Sequence, residues 1–384
     1  MFGFRILTPT TLCLLILLLA STTGNALSQR FHTGGVGECS SCHSLHNAPT
    51  GVEWLLRESD PSSICLNCHA GAGGPDSSSV FSPDGSALTP GGDFYWLTKS
   101  FSWIDGQSPG DSHGHNIVAL DFNLLSDPVR TVSPGGTFPA AKLSCISCHD
   151  PHGQVSGGTA GGQPAVAESG SYGVSGGNYR LLGDADYLPP GGTGFVNDAP
   201  VARQNDSAPY GENAASHVDY GVGMSAWCGN CHAAIVASRH LSTSGSSSFR
   251  HSTDKTLGNR FVSMYNAYVS SGDLSGSVTS SYLQFLPFER GTSVLQQLDP
   301  NSIQGMDNNS RLMCLSCHRA HASAFPNAGR WDFSASSLVD SHPAIGDVGA
   351  TPNDVYYSYY GRDITTEFGS GQGQFCEKCH GTTP

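Results

Sequence analysis

Hydrophobic residues along this 384-residue chain form few periodic runs, and short apolar groups alternate with glycine, serine and proline over most of the sequence. One stretch before Gly272 has the spacing of an amphipathic helix, with apolar residues at Phe261, Met264, Tyr265, Tyr268 and Val269. A second, weaker helix is predicted near Ser281 to Phe288, where Pro287 limits its length. The remaining pattern predicts mostly loops and turns.

The longest apolar run lies at the amino terminus. Leu12 to Ala20 follows Arg5 and precedes the small residues Gly24-Asn25-Ala26, which is the pattern of a secretory signal peptide. We therefore predict a signal peptide over residues 1–26, with processing that could extend to residue 30. The run is shorter than the roughly 18 to 20 residues of a membrane span, so the mature chain is predicted to be secreted, with no span.

The spacing of the cysteines indicates which cofactor the chain binds. Of the 13 cysteines, all except Cys13 in the signal peptide fall into six copies of Cys-x-x-Cys-His. This spacing places two thiols and an imidazole on one side of a helical turn, and it is the attachment signature of c-type haem, with the cysteines as thioethers and the histidine on the iron. The copies are Cys39, Cys42 and His43; Cys65, Cys68 and His69; Cys145, Cys148 and His149; Cys228, Cys231 and His232; Cys314, Cys317 and His318; and Cys376, Cys379 and His380.

Two other uses of twelve cysteines explain less. Zinc ribbons do not require a histidine after every cysteine pair, and a disulfide framework in a secreted chain leaves the histidines unexplained as well. Six covalently bound haem c groups account for both residue types. Attachment of c-type haem outside the cytoplasm also agrees with the predicted export.

Six haems explain an amino-acid composition that is unusually poor in hydrophobic residues. Only 38% of residues are hydrophobic and 13% are charged, with 48 glycines and 22 prolines, which without cofactors would leave little core. We expect a multihaem cytochrome c of loops and turns, with few short helices and minimal strand, wrapped around a continuous haem chain. The net charge of −13 argues against nucleic acid or anionic lipid as a partner.

The motifs alternate in kind. The first, third and fifth continue as Cys-x-x-Cys-His-x-x-His, whereas the other three do not. This alternation predicts three dihaem units, at about residues 31–140, 141–250 and 251–384, within one cytochrome domain over residues 27–384. The glycine- and serine-rich stretches 153–177 and 242–248 are predicted to be surface loops.

Ten histidines lie outside the attachment positions, and six are needed if every iron has two axial imidazoles. His46, His152 and His321 share one offset from an iron that they cannot ligate twice, so we predict that each reaches a neighbouring iron. Spacing alone does not rank the other candidates, which are His32, His113, His115, His217, His240, His251 and His342. With two imidazoles on each iron and no modified Cys-x-x-Cys-Lys motif, the chain is predicted to transfer electrons and not to be an enzyme.

From Phe31 onward the chain resembles the OmcS-like hexahaem outer-surface cytochromes, the filament (nanowire) subunits of metal-reducing bacteria. The resemblance rests on the stretches FHTGGVGECSSCHSLHN, TPGGDF, GHNIV, PGGTFPAAKLSCISCHDPHG, YGVGMSAWCGNCH, SGDLSG, CLSCHRAHAS and YYGR. It implies that the distal ligands are His32, His46, His115, His152, His251 and His321, with His251 the least secure because His240 lies near it.

The same resemblance implies head-to-tail self-association. In such filaments His46 would ligate the fifth iron, held by Cys314, Cys317 and His318, of a neighbouring subunit. Electrons would pass along the filament to other extracellular or outer-membrane cytochromes, metal oxides or partner cells. Three alternatives stay open. The first is a monomeric periplasmic or surface electron shuttle, in which His46 ligates the second haem of its own chain; the others are a multihaem reductase and a purely structural filament protein.

Overall fold

The computed structural model describes residues 39–44, 46, 48–49, 53–74, 77–152, 178–205, 212–238 and 251–381. Its α-helices are α1 Cys39–Cys42, α2 Pro61–His69, α3 Met224–Cys228, α4 Ala233–Ser238, α5 Asn259–Ala267, α6 Pro352–Ser358, α7 Ile364–Phe368 and α8 Glu377–His380. Four short strands are β1 Phe101–Trp103, β2 Gly106–Ser108, β3 Ala202–Arg203 and β4 Asp219–Tyr220. Much of the rest is irregular chain and short 3-10 turns.

The two small sheets of the described chain are local. Strands β1 and β2 form an antiparallel hairpin in which Trp103 opposes Gly106, and β3 and β4 form a second antiparallel pair. The predicted fold class, with few short helices and minimal strand, is confirmed. Among the described residues, no helix is both long enough and apolar enough to cross a membrane.

Helix α5 contains the apolar stripe predicted from the sequence. It buries Val262 and Tyr265, so the helical prediction is confirmed. The helix ends at Ala267 rather than near Gly272, because the Tyr268 N–H closes the last turn on the Met264 carbonyl, after which the backbone is extended.

The weaker helix predicted near Ser281 to Phe288 is wrong. These residues are irregular and almost wholly buried, and their backbone donors bond outside a helical pattern. Tyr282 N–H donates to the Ile303 carbonyl over 3.0 Å, and Leu283 N–H donates to the Tyr265 hydroxyl over 3.0 Å. Because these partners replace the helical carbonyls, burial is achieved without a helix.

Aromatic side chains from distant parts of the sequence form the main core. Phe285 stacks on Phe375 with 5.0 Å between ring centroids, and Trp331 meets the Phe375 ring edge-on at 5.5 Å. A second, smaller cluster contains Tyr179 and Tyr220. These clusters join segments that the sequence places far apart.

Several predictions fall on residues outside the described ranges. These are the signal peptide over residues 1–26 and the two glycine- and serine-rich stretches 153–177 and 242–248. The histidines His32 and His240 also lie outside the described residues.

Candidate haem-binding sites

The attachment motifs occupy short helices or 3-10 turns. Motif two lies on α2, motif four lies on and just after α3, and motif six lies at α8. Motifs three and five begin with the 3-10 turns Cys145–Ser147 and Cys314–Ser316. No disulfide joins the 11 cysteines whose side chains the structure describes. The predicted attachment cysteines in this part of the chain are therefore available for thioether bonds.

Burial keeps two of the attachment thiols in their neutral form. Burial raises the pKa of Cys148 and of Cys317 to about 12, so both are neutral thiols at physiological pH. Zinc sites use the thiolate form. Within the described residues, no group of three or more histidine, cysteine or acidic side chains is placed to hold a metal ion by itself.

Five proximal histidines are oriented by backbone carbonyls. Nδ1 of each lies 2.8 to 3.0 Å from a carbonyl oxygen, and the accepting carbonyls belong to Trp54 for His43, Ser78 for His69, Arg180 for His149, Pro134 for His232 and Asn327 for His318. A histidine that donates from Nδ1 presents the lone pair of Nε2 to a metal. The arrangement therefore selects the tautomer that can ligate iron.

The carbonyls serving motifs one, three and five come from one repeated turn. In each case the accepting residue begins a pair of consecutive non-glycine residues in left-handed backbone conformation, with φ between 50° and 59°. The pairs are Trp54 and Leu55, Arg180 and Leu181, and Asn327 and Ala328. Two such residues in succession are strained, so the surrounding hydrogen bonds must hold each turn in place.

Matching backbone hydrogen bonds fix this turn against each motif. The residue after the proximal histidine donates its N–H to the second left-handed residue, over 2.7 to 2.8 Å. The second residue beyond the turn donates back to the second cysteine of the motif, over 2.8 to 3.0 Å. The pairs are Ser44 to Leu55 and Arg57 to Cys42; Asp150 to Leu181 and Gly183 to Cys148; and Arg319 to Ala328 and Arg330 to Cys317.

Four proximal histidines each face another imidazole from a distant part of the chain. The separations between ring centroids are 6.2 Å for His43 and His152, 6.0 Å for His232 and His115, 6.4 Å for His149 and His321, and 6.1 Å for His380 and His251. At this near-constant separation, four of the six predicted distal histidines each face the proximal histidine of a different attachment motif.

This separation fits an iron ion between each pair of rings. A metal–imidazole bond is about 2 Å long and the ring centre lies about 1 Å beyond the nitrogen, so two rings on opposite sides of one ion have centres about 6 Å apart. Burial also lowers the pKa of His321 to about 3, which keeps its imidazole neutral, as a ligand must be. The residues present thus fit a haem iron with two axial histidines.

Three histidines that the sequence could not rank have other surroundings. Both ring nitrogens of buried His113 are engaged, Nδ1 with the Trp96 carbonyl at 2.9 Å and Nε2 with the Ser108 hydroxyl at 2.6 Å. His342 stacks on Trp103 and bonds to Asp347 over 2.6 Å, and the buried ring of His217 stacks on Tyr282 with 3.9 Å between centroids. None of the three faces a proximal imidazole in the described chain.

His46 and His318 differ from the paired histidines. His46 is exposed, and the ring beside His318 is Phe333, edge-on at 5.6 Å. Among the described residues, no second imidazole faces either of them. Within the described part of a single chain, His318 is thus a proximal candidate and His46 a distal candidate without a facing imidazole.

Neighbouring motifs contact each other through a serine that sequence reasoning missed. Ser62 accepts a hydrogen bond from the Cys145 N–H over 3.2 Å, and Ser225 accepts one from the Cys314 N–H over 3.0 Å. Each serine lies three residues before the first cysteine of an even-numbered motif, and that shared offset was the available signal. The Cys65 thiol also hydrogen-bonds the Cys145 thiol, so motifs two and three are in direct contact.

Comparison with known proteins agrees with these features. A family model described as a doubled CXXCH motif matches residues 32–74. A c-type cytochrome of Geobacter sulfurreducens named OmcS is 37% identical over 410 aligned positions, which cover 91% of this chain and 94% of the relative.

Solved structures of the same kind are similar in fold. The outer membrane cytochrome S filament from Geobacter sulfurreducens has a TM-score of 0.75 and 35% identity, covering 92% of this chain and 100% of that chain. The OmcS nanowires from the same organism, determined by cryo-electron microscopy, give a TM-score of 0.75 and 34% identity with the same coverage. The resemblance predicted from the sequence is confirmed: the chain belongs to the family of c-type cytochromes that includes OmcS.

Proposed function

We propose that this protein carries electrons over long distances outside the cell, as a six-haem cytochrome whose copies join head to tail into a conducting filament. The family membership confirms electron transfer as the activity and the outer cell surface as the location. The observation that carries the finer proposal is the set of four imidazole pairs at 6.0 to 6.4 Å.

Each haem, when bound, supplies an iron that changes between two oxidation states. The proposed work of the protein is to hold each iron between two neutral imidazoles. Two axial nitrogens leave no position for a substrate, which favours electron transfer over a reductase. The proposed distal ligands are His32, His46, His115, His152, His251 and His321, and the proposed proximal ligands are the six histidines of the attachment motifs.

A regular offset connects the histidines that follow the odd-numbered motifs. His152, after motif three, faces His43 of motif one, and His321, after motif five, faces His149 of motif three. Each distal candidate thus lies opposite the motif two places earlier. The next member of the series would follow a seventh motif and face His318 of motif five.

A single chain has six motifs, so the seventh is supplied by motif one of the next copy. His46 of that copy is the equivalent histidine, and we propose that it ligates the fifth iron beside His318. In the described residues, both His46 and His318 lack an opposing imidazole, as this exchange requires. A contact between two different surfaces does not close on itself and therefore produces a fibre.

The contacts between motifs also follow the order of the motifs along the chain. Motif two contacts motif three through Ser62 and Cys145, and motif four contacts motif five through Ser225 and Cys314. Motif six, which ends in α8, has its proposed partner in motif one of the next copy. The path of the haems would thus continue across the subunit boundary. We retain the three dihaem units as a proposal, with histidine pairs that cross their boundaries.

Cryo-electron microscopy of the secreted haem-staining fraction tests this function. We expect filaments from wild type and from the control His342→Ala, with His46 on the neighbour's fifth iron, whereas His46→Ala should remain largely monomeric. Wild-type protein that is monomeric, with His46 bound inside its own chain, would replace the filament with an electron shuttle.

A further inference from the structure

A buried cluster of charges lies directly beside the fifth attachment motif. Arg319 follows the proximal histidine, and its Nη1 bonds one carboxylate oxygen of Glu212. Arg330 donates from Nη1 to the other oxygen over 2.9 Å. The side chains of Arg319, Arg330 and Glu212 are only 2%, 0% and 4% exposed. Because two guanidinium groups share one carboxylate, the cluster has an excess of one positive charge.

The charges of this cluster are maintained despite burial. Burial opposes ionisation of Glu212, but the guanidinium groups of Arg319 and Arg330 outweigh it and hold the pKa of the carboxyl below its usual value. Arg362 also donates to the backbone carbonyl of Glu212, over 3.0 Å, while its guanidinium lies 3.6 Å from Glu367. Arg362 therefore has its own counter-ion and does not add to the excess positive charge.

The cluster is held firmly against the attachment loop. Arg330 donates its backbone N–H to the Cys317 carbonyl over 2.8 Å and its Nε to the Leu315 carbonyl over 2.6 Å. The Arg319 guanidinium lies 3.7 Å from the centre of the Tyr360 ring. Both cations thus keep fixed positions beside the fifth motif, screened from solvent.

The equivalent positions at motifs one and three carry different charges. The repeated turn aligns Ser44, Asp150 and Arg319, each of which follows a proximal histidine. Ser44 is neutral, Asp150 is a buried carboxylate, and Arg319 is a buried cation. Three sites with one backbone geometry therefore differ in the charge placed next to the iron ligand.

The position that Arg330 occupies at motif five is also filled differently at motifs one and three. Arg57 is the counterpart of Arg330 and donates to the Ser40 carbonyl over 2.7 Å, but it is exposed to solvent. At motif three the equivalent carbonyl, that of Ile146, accepts from the neutral Tyr187 hydroxyl over 2.6 Å. Solvent screens exposed charges much more than buried ones. The two buried arginines therefore give motif five a stronger positive field than exposed Arg57 gives motif one or half-buried Arg180 gives motif three.

We propose that this charge series sets the order of reduction potentials among the three odd-numbered haems, highest at motif five, intermediate at motif one and lowest at motif three. A nearby positive charge stabilises the reduced haem and a nearby negative charge stabilises the oxidised one. The inference rests on the proposed attachment of haem at these motifs. Arg319 and Asp150 act as tuning residues and do not touch a reacting atom.

Spectroelectrochemical titration of the purified haem-loaded protein tests the order. Asp150→Asn keeps the oxygen that accepts the His152 N–H over 3.0 Å, and it should move about one sixth of the titration amplitude to higher potential. Arg319→Gln should move a similar fraction to lower potential, and Arg319→Lys should restore the wild-type curve. Ser44→Ala, at the neutral position, is the matched control and should leave all potentials unchanged.

Opposite shifts would not arise from general loosening of the structure, which affects both variants alike. Shifts in the same direction, or no shift for Asp150→Asn, would overturn the inference, and the isosteric Asp150→Asn decides alone if Arg319→Gln fails to fold. The haem content of each variant is measured by mass spectrometry of the denatured protein. Variants with six haems and unshifted potentials refute only this inference, whereas wild-type protein with fewer than six haems refutes the proposed function.

Discussion

The imidazole rings of His149 and His321 face each other with 6.4 Å between their centroids, although they come from the third and fifth attachment motifs. His321 is also oriented by the Gly92 carbonyl, 3.3 Å from its Nδ1. A histidine that follows one haem motif is thus placed opposite the proximal histidine of another. This relationship makes the ligand assignment directly testable.

Replacing His321 with alanine should open one axial position on the third iron. We expect the variant to bind carbon monoxide at about one haem per chain when reduced, because two-imidazole coordination leaves no such position in the wild type. Difference absorption spectra under carbon monoxide provide the measurement. A variant that binds none would contradict the assignment of His321.

His113→Ala is the matched control, because His113 is buried but lies outside the proposed ligand set. It should bind no carbon monoxide. The free energy of unfolding should fall by about 1 to 3 kcal/mol, since the Trp96 carbonyl and the Ser108 hydroxyl lose their buried partner. Carbon monoxide binding by this variant would identify His113 as a ligand after all.

Glu289 should make stability fall as the pH rises from about 4.5 to about 8. Burial raises the pKa of this carboxyl from 4.5 to about 8, with Asp254 adding to the effect, so the protonated form is favoured in the folded protein. Its contribution is fully present below pH 4.5 and is lost as the pH rises through about 8. Wild type should lose a few kcal/mol between pH 5 and 9 relative to Glu289→Gln.

Urea unfolding at several pH values measures this difference. Glu367→Gln is the control, because the Glu367 side chain is 39% exposed and its removal should leave the pH dependence unchanged. Equal losses of stability between pH 5 and 9 in wild type and Glu289→Gln would mean that Glu289 is not the responsible group.

Phe375→Ala should be among the most destabilising core substitutions. The ring is fully buried and contacts both Phe285 and Trp331, so truncation should cost about 3 to 5 kcal/mol. Tyr356→Ala, at a side chain that is 50% exposed, should change the free energy of unfolding by less than about 0.5 kcal/mol. Similar effects of the two substitutions would show that the aromatic cluster is not the main core.

Sequence periodicity predicted α5 because nine residues with one apolar stripe can fold locally. It failed at Ser281 to Phe288, because that segment is buried by neighbours distant in sequence and its backbone donors bond to them. The attachment motifs were readable because covalent chemistry fixes their spacing. The histidines that face the proximal imidazoles could be predicted only in part from spacing, since these rings meet through tertiary structure.

The left-handed turns had no signal in the sequence at all. Left-handed backbone usually favours glycine, yet Trp54, Arg180 and Asn327 begin these turns. Their conformation follows from the hydrogen bonds to the proximal histidine and the attachment loop. A constraint supplied by tertiary contacts cannot be predicted from residue preferences alone.

The repeated turn also tolerates very different lengths of intervening chain. The carbonyl that orients the proximal histidine lies 11 residues beyond His43, 31 beyond His149 and 9 beyond His318. Guest sequences grafted between His152 and Asn178 would therefore not need to alter the electron path. The number of residues between motif and turn is therefore the variable to change when an affinity tag, a mineral-binding peptide or a fluorescent domain is to be added to such a protein.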